Sequence, residues 1–203
     1  MCKRNKCSLI LIFLALLFMG IIAYAPHFLL YSSSYRKTDA IILFLGPDFT
    51  ARQKEAYRII NEGMTHYLII PAHYKTYKIF AEGAISYFSP NLSSRSATNR
   101  NASDFYLPSF YEDTHREVID AKQIMSDYGL KSAIFISSPY HMRRIKLISA
   151  MVFAEEKGMF YFVPTSYEKA PANFWELSGA DWKKVGREYV KILWFYLYLP
   201  WAK

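Results

Sequence analysis

Cysteine is almost absent from this chain: of 203 residues only Cys2 and Cys7 are cysteines, and both precede position 8. A domain exported to an oxidising compartment avoids stray thiols. The distribution therefore agrees with an exported domain whose short N-terminal tail stays in the cytoplasm. It also leaves no zinc-finger spacing anywhere in the chain.

Two further signatures of catalytic chemistry are missing. A metal site built on histidines would need two of them at ligand spacing on a common helix, and none of the five has it. The histidines are His27, His66, His73, His115 and His141. Ser137 and Ser138 lack the neighbouring glycines that a strained nucleophile elbow requires. The sequence therefore predicts neither a metal centre nor a serine nucleophile of that type.

One long stretch of the chain has no charged residue, and the rest has a small excess of basic over acidic residues. The formal net charge is +8, and without Lys3, Arg4 and Lys6 there remain 22 basic against 17 acidic residues. This surplus suits anionic lipid headgroups or an anionic substrate. Since no Lys/Arg-rich run or aromatic RNA-binding signature accompanies it, the sequence argues against a nucleic-acid partner.

The uncharged stretch runs from Ser8 to Ala25 and can be extended to Tyr31, roughly the 20 apolar residues that cross a bilayer. The basic residues before it predict a cytoplasmic N-terminus and an extracytoplasmic domain on the plasma (inner) membrane. The predicted segments are a cytoplasmic tail over 1–7, a transmembrane anchor over 8–31 and a linker over 32–38.

A cleaved signal peptide is the alternative to this anchor. Ala23-Tyr24-Ala25 resembles a small-x-small cleavage site. Pro26 would then follow the cut, which signal peptidases tolerate poorly, and the apolar run is long for a signal core. These two features favour an uncleaved anchor.

From position 39 to 203 the pattern alternates strands with helices, which predicts a mostly parallel sheet with helices on both faces. The predicted strands are Ala40–Leu45, Tyr67–Ile70, Ala133–Ile136 and Phe160–Val163; the predicted helices begin at Thr50, Thr114 and Pro139, and a last one covers Trp182–Trp201.

Two segments fit this pattern less well. Residues 73–110 are predicted to be an insert or lid, with a possible helix over Lys75–Tyr87 and a Ser/Asn-rich part over 89–104. The aromatic end of the last helix either packs on the sheet or rests at the membrane interface, and its nearly all-round apolar content favours packing.

The most informative segment joins the third predicted strand to its helix. Ser138 is a natural N-cap and Pro139 suits the first helical position. Free amides at such a helix start, at the carboxyl end of a strand, favour an anion. His141 and Arg144 share one face of the helix, so we expect Arg144 to bind the anion, whereas Arg143 is expected at the surface.

Two other clusters have a structural and a functional interpretation. Thr114 and Glu117 have the spacing of a capping box, which explains both residues, yet Glu117 could also act as a base in the same crevice. Asp48 and Arg52 could enter that crevice, although a solvent-exposed pair between them is the simpler expectation.

The ordered set of these residues resembles the YdcF-like family of bacterial envelope proteins, which includes SanA and ElyC. The resemblance covers roughly 38–165 and is carried by three motifs. They are Asp39, Gly46, Arg52 and Ala56; Asp113, Thr114 and Glu117; and Ser137, Ser138, His141, Met142 and Arg144. It implies a Rossmann-like α/β fold and a role in envelope or peptidoglycan physiology, with nucleotide or S-adenosylmethionine binding associated with some members.

The chain departs from the family pattern after its first two strands. Gly46-Pro47 stands where a Gly-Gly pair is common, and Pro71-Ala72-His73 where Ser-Gly-Gly is common. Those glycines let a backbone approach a phosphate closely, so their replacement argues against a nucleotide ligand. A family acidic residue falls near position 108, with Glu112 as an out-of-register substitute.

Two functions follow as hypotheses. In the first, the domain binds or transforms an anionic, phosphorylated envelope or cell-wall precursor, with His141 and Glu117 moving protons. The anion would be held by the remaining site residues, Ser137, Ser138, Arg144, Thr114, Gly46, Asp48 and Arg52. In the second, the domain is a non-catalytic interaction module that uses its aromatic C-terminal helix.

Overall fold

The computed structural model describes residues 2–80, 85–87 and 112–201. Most of the predicted insert over 73–110, including its Ser/Asn-rich part, lies outside the described residues. The described strands are β1 (Ala40–Leu43), β2 (Tyr67–Ile70), β3 (Lys75–Ile79), β4 (Ile85–Tyr87), β5 (Ser132–Ser137) and β6 (Met159–Pro164). The α-helices are α1 (Cys2–Leu29), α2 (Phe49–Asn61), α3 (Asp113–Asp127), α4 (Met142–Val152) and α5 (Gly179–Tyr198).

The strands form one mixed sheet in the order β4-β3-β2-β1-β5-β6. Four of them, β2, β1, β5 and β6, are parallel, and the pairing of β1 with β5 runs from Ala40–Ala133 to Leu43–Ile136. The predicted α/β class with a mostly parallel sheet is confirmed.

The helix predicted over Lys75–Tyr87 was wrong, because the described residues of this segment form two antiparallel strands, β3 and β4, that extend the sheet. Tyr74 has a positive φ of 51° and reverses the chain, after which β3 returns along β2 with Tyr77 opposite Leu68. β-Branched and aromatic side chains fit a pleated surface. Pairing with β3 also satisfies the backbone groups at the edge of β2, which a helix at this position would leave unpaired.

Both faces of the sheet are buried, because side chains on a strand alternate between faces. On β1, Ile42 points to a core that includes α3, α4 and α5, whereas Ile41 points to a second core that includes α2. Helices therefore cover both faces, as the alternating pattern predicted.

Helix α1 contains a 21-residue apolar stretch, Leu9–Leu29, which by length and composition could cross a membrane. Its last turn packs against the domain: Leu29 is fully buried, and the Tyr189 hydroxyl donates to the Ala25 carbonyl at 2.9 Å. Arg143 does not lie free at the surface as expected. Its Nε donates to the Phe28 carbonyl at 2.7 Å, and its guanidinium lies 4.6 Å from the centre of the Phe28 ring.

The aromatic end of α5 is divided between two environments. Phe195 and Tyr198 pack in the core beneath the sheet, as the packing interpretation predicted. Trp194 and Leu197 point away from it and are exposed. The helix itself begins with a capping box between Ser178 and Asp181, which fixes its first turn.

Candidate functional site

A cavity of about 590 Å³ lies at the carboxyl ends of β1 and β5. The strand order reverses at this point, since β2 lies on one side of β1 and β5 on the other. In open α/β sheets such a reversal leaves a crevice where ligands bind. The cavity is lined by the turn after β1, the first turn of α3, the turn after β5 and one face of α5.

Arg52 links the ends of β1 and β5, which form the base of this cavity. The guanidinium, 4% exposed, donates from Nη1 to the Phe44 carbonyl at 3.0 Å and from Nη2 to the Ser138 hydroxyl at 2.8 Å. The expected solvent-exposed pair with Asp48 is therefore wrong: Asp48 lies 3.7 Å from the Lys184 ammonium. The buried guanidinium finds its acceptors in two backbone carbonyls and a hydroxyl, as a buried polar group must.

Ser138 occupies the predicted N-cap position, but its hydroxyl does not cap. It accepts from Arg52, and the chain makes a 3₁₀ turn over Pro139–His141 before α4 begins. Pro139 is at the first position of that turn, as predicted. The hydroxyl thus ties the turn after β5 to the turn after β1.

Gly46 is required here by the same guanidinium. A Cβ built on Gly46 would lie 2.5 Å from Arg52 Nη2, so the space that a glycine could offer to a ligand phosphate holds an arginine side chain. Gly46 lines the cavity and packs closely on Arg52, and its predicted part in holding an anion stays a prediction.

Gly46→Ala is expected to lower the free energy of unfolding by about 1–2 kcal/mol, because the buried guanidinium must shift and lose hydrogen bonds. Gly186→Ala, within α5 and with open space at its Cβ, is the matched control and is expected to stabilise by up to about 1 kcal/mol. Chemical denaturation of both variants tests this, and equal effects of the two would contradict it.

Thr114, His141 and Ser137 form a hydrogen-bonded chain that leads from the cavity wall into the interior. His141 Nε2 lies 3.1 Å from Thr114 Oγ1, and Nδ1 lies 3.0 Å from Ser137 Oγ. Burial, together with the charges of Arg144 and Arg52, holds the pKa of His141 well below its usual range. The ring is therefore neutral, donating from one nitrogen and accepting at the other.

The capping-box prediction for Thr114 and Glu117 was wrong. Helix α3 begins with Glu112 at its N-cap and without a side-chain cap. The Thr114 hydroxyl accepts from Arg144 Nη1 at 2.8 Å, so a tertiary partner has replaced the local one. Glu117 is thereby left to line the cavity.

Glu117 is the group best suited to proton transfer. Among the described residues it makes no hydrogen bond, and burial raises the pKa of its carboxyl to about 7 even though Arg52 lowers it. Near neutral pH both protonation states are therefore populated, which is what a general acid or base needs.

Arg144 is 1% exposed, and its charge is matched within the protein. Its Nε donates to Glu188 at 2.7 Å, and Nη1 pairs with Glu112 and Thr114. The guanidinium predicted to bind an anion is thus held by two carboxylates, and it positions Thr114 for the contact with His141.

Sequence analysis missed the wall that α5 contributes. Polar side chains recur every three or four residues on one side of this helix, a spacing that would have revealed the face; they are Lys183, Lys184, Arg187, Glu188 and Lys191. Lys184 pairs with Glu168 at 2.9 Å and Lys191 with Glu112 at 3.4 Å.

Two cations of this wall are available to a ligand. Lys183 and Arg187 are exposed, and no carboxylate of the described residues lies within ion-pair distance of either. Glu168, on the same cavity, has one buried carboxylate oxygen without a hydrogen-bond partner. The cavity therefore offers positive charge at its edge and acceptors deeper inside.

In the ranges that the structure covers, no group of three or more His, Cys, Asp or Glu side chains is placed to hold a metal ion. The side chains that line the cavity are suited to proton transfer and to the recognition of charge. No family model, curated protein or solved structure matches this chain.

Proposed function

We propose that this chain is a membrane-anchored protein with a Rossmann-like domain that binds a phosphorylated envelope precursor in the cavity between β1 and β5 and transforms it. The observation that carries the proposal is Glu117, a half-buried carboxyl that lines the cavity where the strand order reverses and has no hydrogen-bond partner among the described residues. The motifs that resemble the YdcF-like family support membership of that family, and the length and apolar composition of α1 support the membrane location.

In this proposal Lys183 and Arg187 attract and hold the phosphate at the edge of the cavity. An exposed lysine and arginine can turn toward a ligand because no described carboxylate already binds them. Lipid headgroups and soluble phosphates would both satisfy these two cations, whereas Glu168 would accept a hydrogen bond from a hydroxyl or amine of the ligand.

Glu117 then moves the proton. A carboxyl with a pKa of about 7 can take the proton from a hydroxyl whose oxygen attacks the phosphorus, and give it to the oxygen that leaves as the existing phosphoester bond breaks. His141 positions the reacting groups through Thr114 and Ser137, because both of its ring nitrogens are already engaged by hydroxyls.

Binding is tested on the full chain in mild detergent by thermal shift with inorganic phosphate, short polyprenyl phosphates, nucleotides and S-adenosylmethionine. A ligand at 100 times its dissociation constant is expected to stabilise the fold by about 2.7 kcal/mol. Lys183→Gln/Arg187→Gln is expected to remove the shift, and Arg36→Gln, at an exposed position outside the cavity, to leave it. Absence of any shift in the wild type would contradict the proposal.

Chemistry is tested separately with whichever phosphorylated ligand binds, by following its phosphorus signal by NMR. Glu117→Gln is expected to keep the binding shift and lose turnover. Asp120→Asn, on the same helix but outside the cavity, should keep both. Binding without turnover in the wild type would favour the interaction-module hypothesis over the enzyme.

A further inference from the structure

One side of α5 and the turn after it is apolar and exposed. The residues have the three- and four-residue spacing of one helix side, with Leu193 and Trp194 adjacent on it, and form what we name the apolar face of α5: Val190, Leu193, Trp194, Leu197 and Trp201. Their exposed fractions run from 45% for Trp194 to 73% for Trp201. A contiguous apolar surface with two tryptophans usually marks a contact with a protein or a membrane.

The start of this face is fixed to the end of α1. Tyr189, the residue before Val190, donates its hydroxyl to the Ala25 carbonyl, and its ring stacks on Phe28 with centroids 6.2 Å apart. Ile192 packs in the same cluster as Leu29. The apolar face of α5 therefore begins where the anchor meets the domain.

The part of α1 that is free to enter lipid is shorter than a bilayer core. The turn over residues 25–29 is packed on the domain, which leaves residues 9–24 for lipid, about 24 Å of helix. The hydrocarbon core of a bilayer is about 30 Å thick. Helix α1 matches the core without thinning the bilayer when the packed turn, and the part of α5 held against it, enters the outer boundary of the bilayer.

We propose that the apolar face of α5 lies in the outer interface of the bilayer that α1 crosses, so that the cavity opens at the membrane surface. Tryptophan is favoured at this depth. The inference rests on the anchoring part of the proposed function. Lys183 and Arg187 lie on the same helix, toward the cavity, so a phosphate carried by a membrane lipid could reach them without leaving the bilayer.

The test uses tryptophan quenching by lipids brominated on their acyl chains, with the full chain reconstituted in phosphatidylcholine–phosphatidylglycerol vesicles. The chain has four tryptophans. We expect brominated lipid to quench the wild type, and Trp194→Phe/Trp201→Phe to lose most of that quenching. A matched probe, Tyr57→Trp added to the double variant, places a fluorophore on the exposed side of α2, at the opposite face of the sheet, and should not restore it.

The outcomes separate this inference from the proposals it rests on. If the protein floats with the vesicles while Trp194 and Trp201 escape quenching, docking of α5 is overturned and the anchor stands. If those two tryptophans escape quenching and nanodiscs contain two copies of the chain, the apolar face is an interface between copies. If the protein does not float, the anchor itself fails. Phosphate binding, measured in detergent, is independent of all three.

Discussion

Arg144→Met is expected to lower the free energy of unfolding by about 3–5 kcal/mol, because it removes one partner from a buried ion network. Glu188 would lose its ion-pair partner and Glu112 would keep only Lys191, with little solvent at either carboxylate, and Glu112 already has one buried oxygen without a hydrogen-bond partner. Thr114 would also lose the donor that orients it toward His141. Urea unfolding of the full chain in detergent, followed by near-ultraviolet circular dichroism, measures the change.

Two variants make this result specific. Arg187→Met removes an exposed arginine from the same cavity and should change stability by no more than about 0.5 kcal/mol. Neutralising the carboxylates as well, in Arg144→Met/Glu112→Gln/Glu188→Gln, should recover much of the loss, since unpaired buried charges cause most of it. An Arg144→Met protein as stable as Arg187→Met would show that the network is hydrated and contributes little.

The sheet could be predicted from sequence because its signal is local. Each parallel strand is a short apolar run that ends in a turn, and burial on both faces makes that run continuous, as in Ala40–Leu43 and Ser132–Ser137. The antiparallel strand β3 has no such run, because only one of its faces, with Tyr77 and Ile79, packs in a core, the one that includes α2. Its sequence therefore resembles that of a helix as much as that of a strand.

The sequence predicts which residues lie near one another at the site better than it predicts which atoms form hydrogen bonds there. Thr114, Glu117, Ser138 and His141 do converge on one cavity, because they follow the ends of adjacent strands and begin adjacent helices. Their partners were not predictable by local rules. Thr114 and Ser138 are residue types that cap helices and stand at predicted helix starts, yet each hydroxyl accepts a hydrogen bond from an arginine elsewhere in the chain.

The α5 wall shows a further limit. Its polar spacing was present in the sequence, but nothing local indicates which face of a terminal helix covers the end of the sheet. The packing of Phe195 and Tyr198 on the core is what turns Lys183 and Arg187 toward the cavity.

Glu117→Gln is expected to stabilise the protein at pH 8 and to have little effect on stability at pH 4. Burial raises the pKa of Glu117 from 4.5 to about 7. Between these values the folded protein binds more protons at this site than the unfolded chain, so the wild-type free energy of unfolding falls as the pH rises through this range. Above pH 7 the charged carboxyl costs on the order of 3 kcal/mol, which glutamine avoids.

The measurement is the difference in unfolding free energy between wild type and Glu117→Gln across pH 4 to 8. Burial also lowers the pKa of His115 to about 4, which makes both proteins less stable as the pH falls from 6.5, but this contribution cancels in the difference. Asp127→Asn removes an exposed carboxylate from the same helix and serves as the control. A difference that grows with pH for Glu117→Gln alone would identify a desolvated carboxyl that titrates near neutrality. A difference that stays flat would place the Glu117 carboxyl in solvent and remove the physical basis for its role in proton transfer.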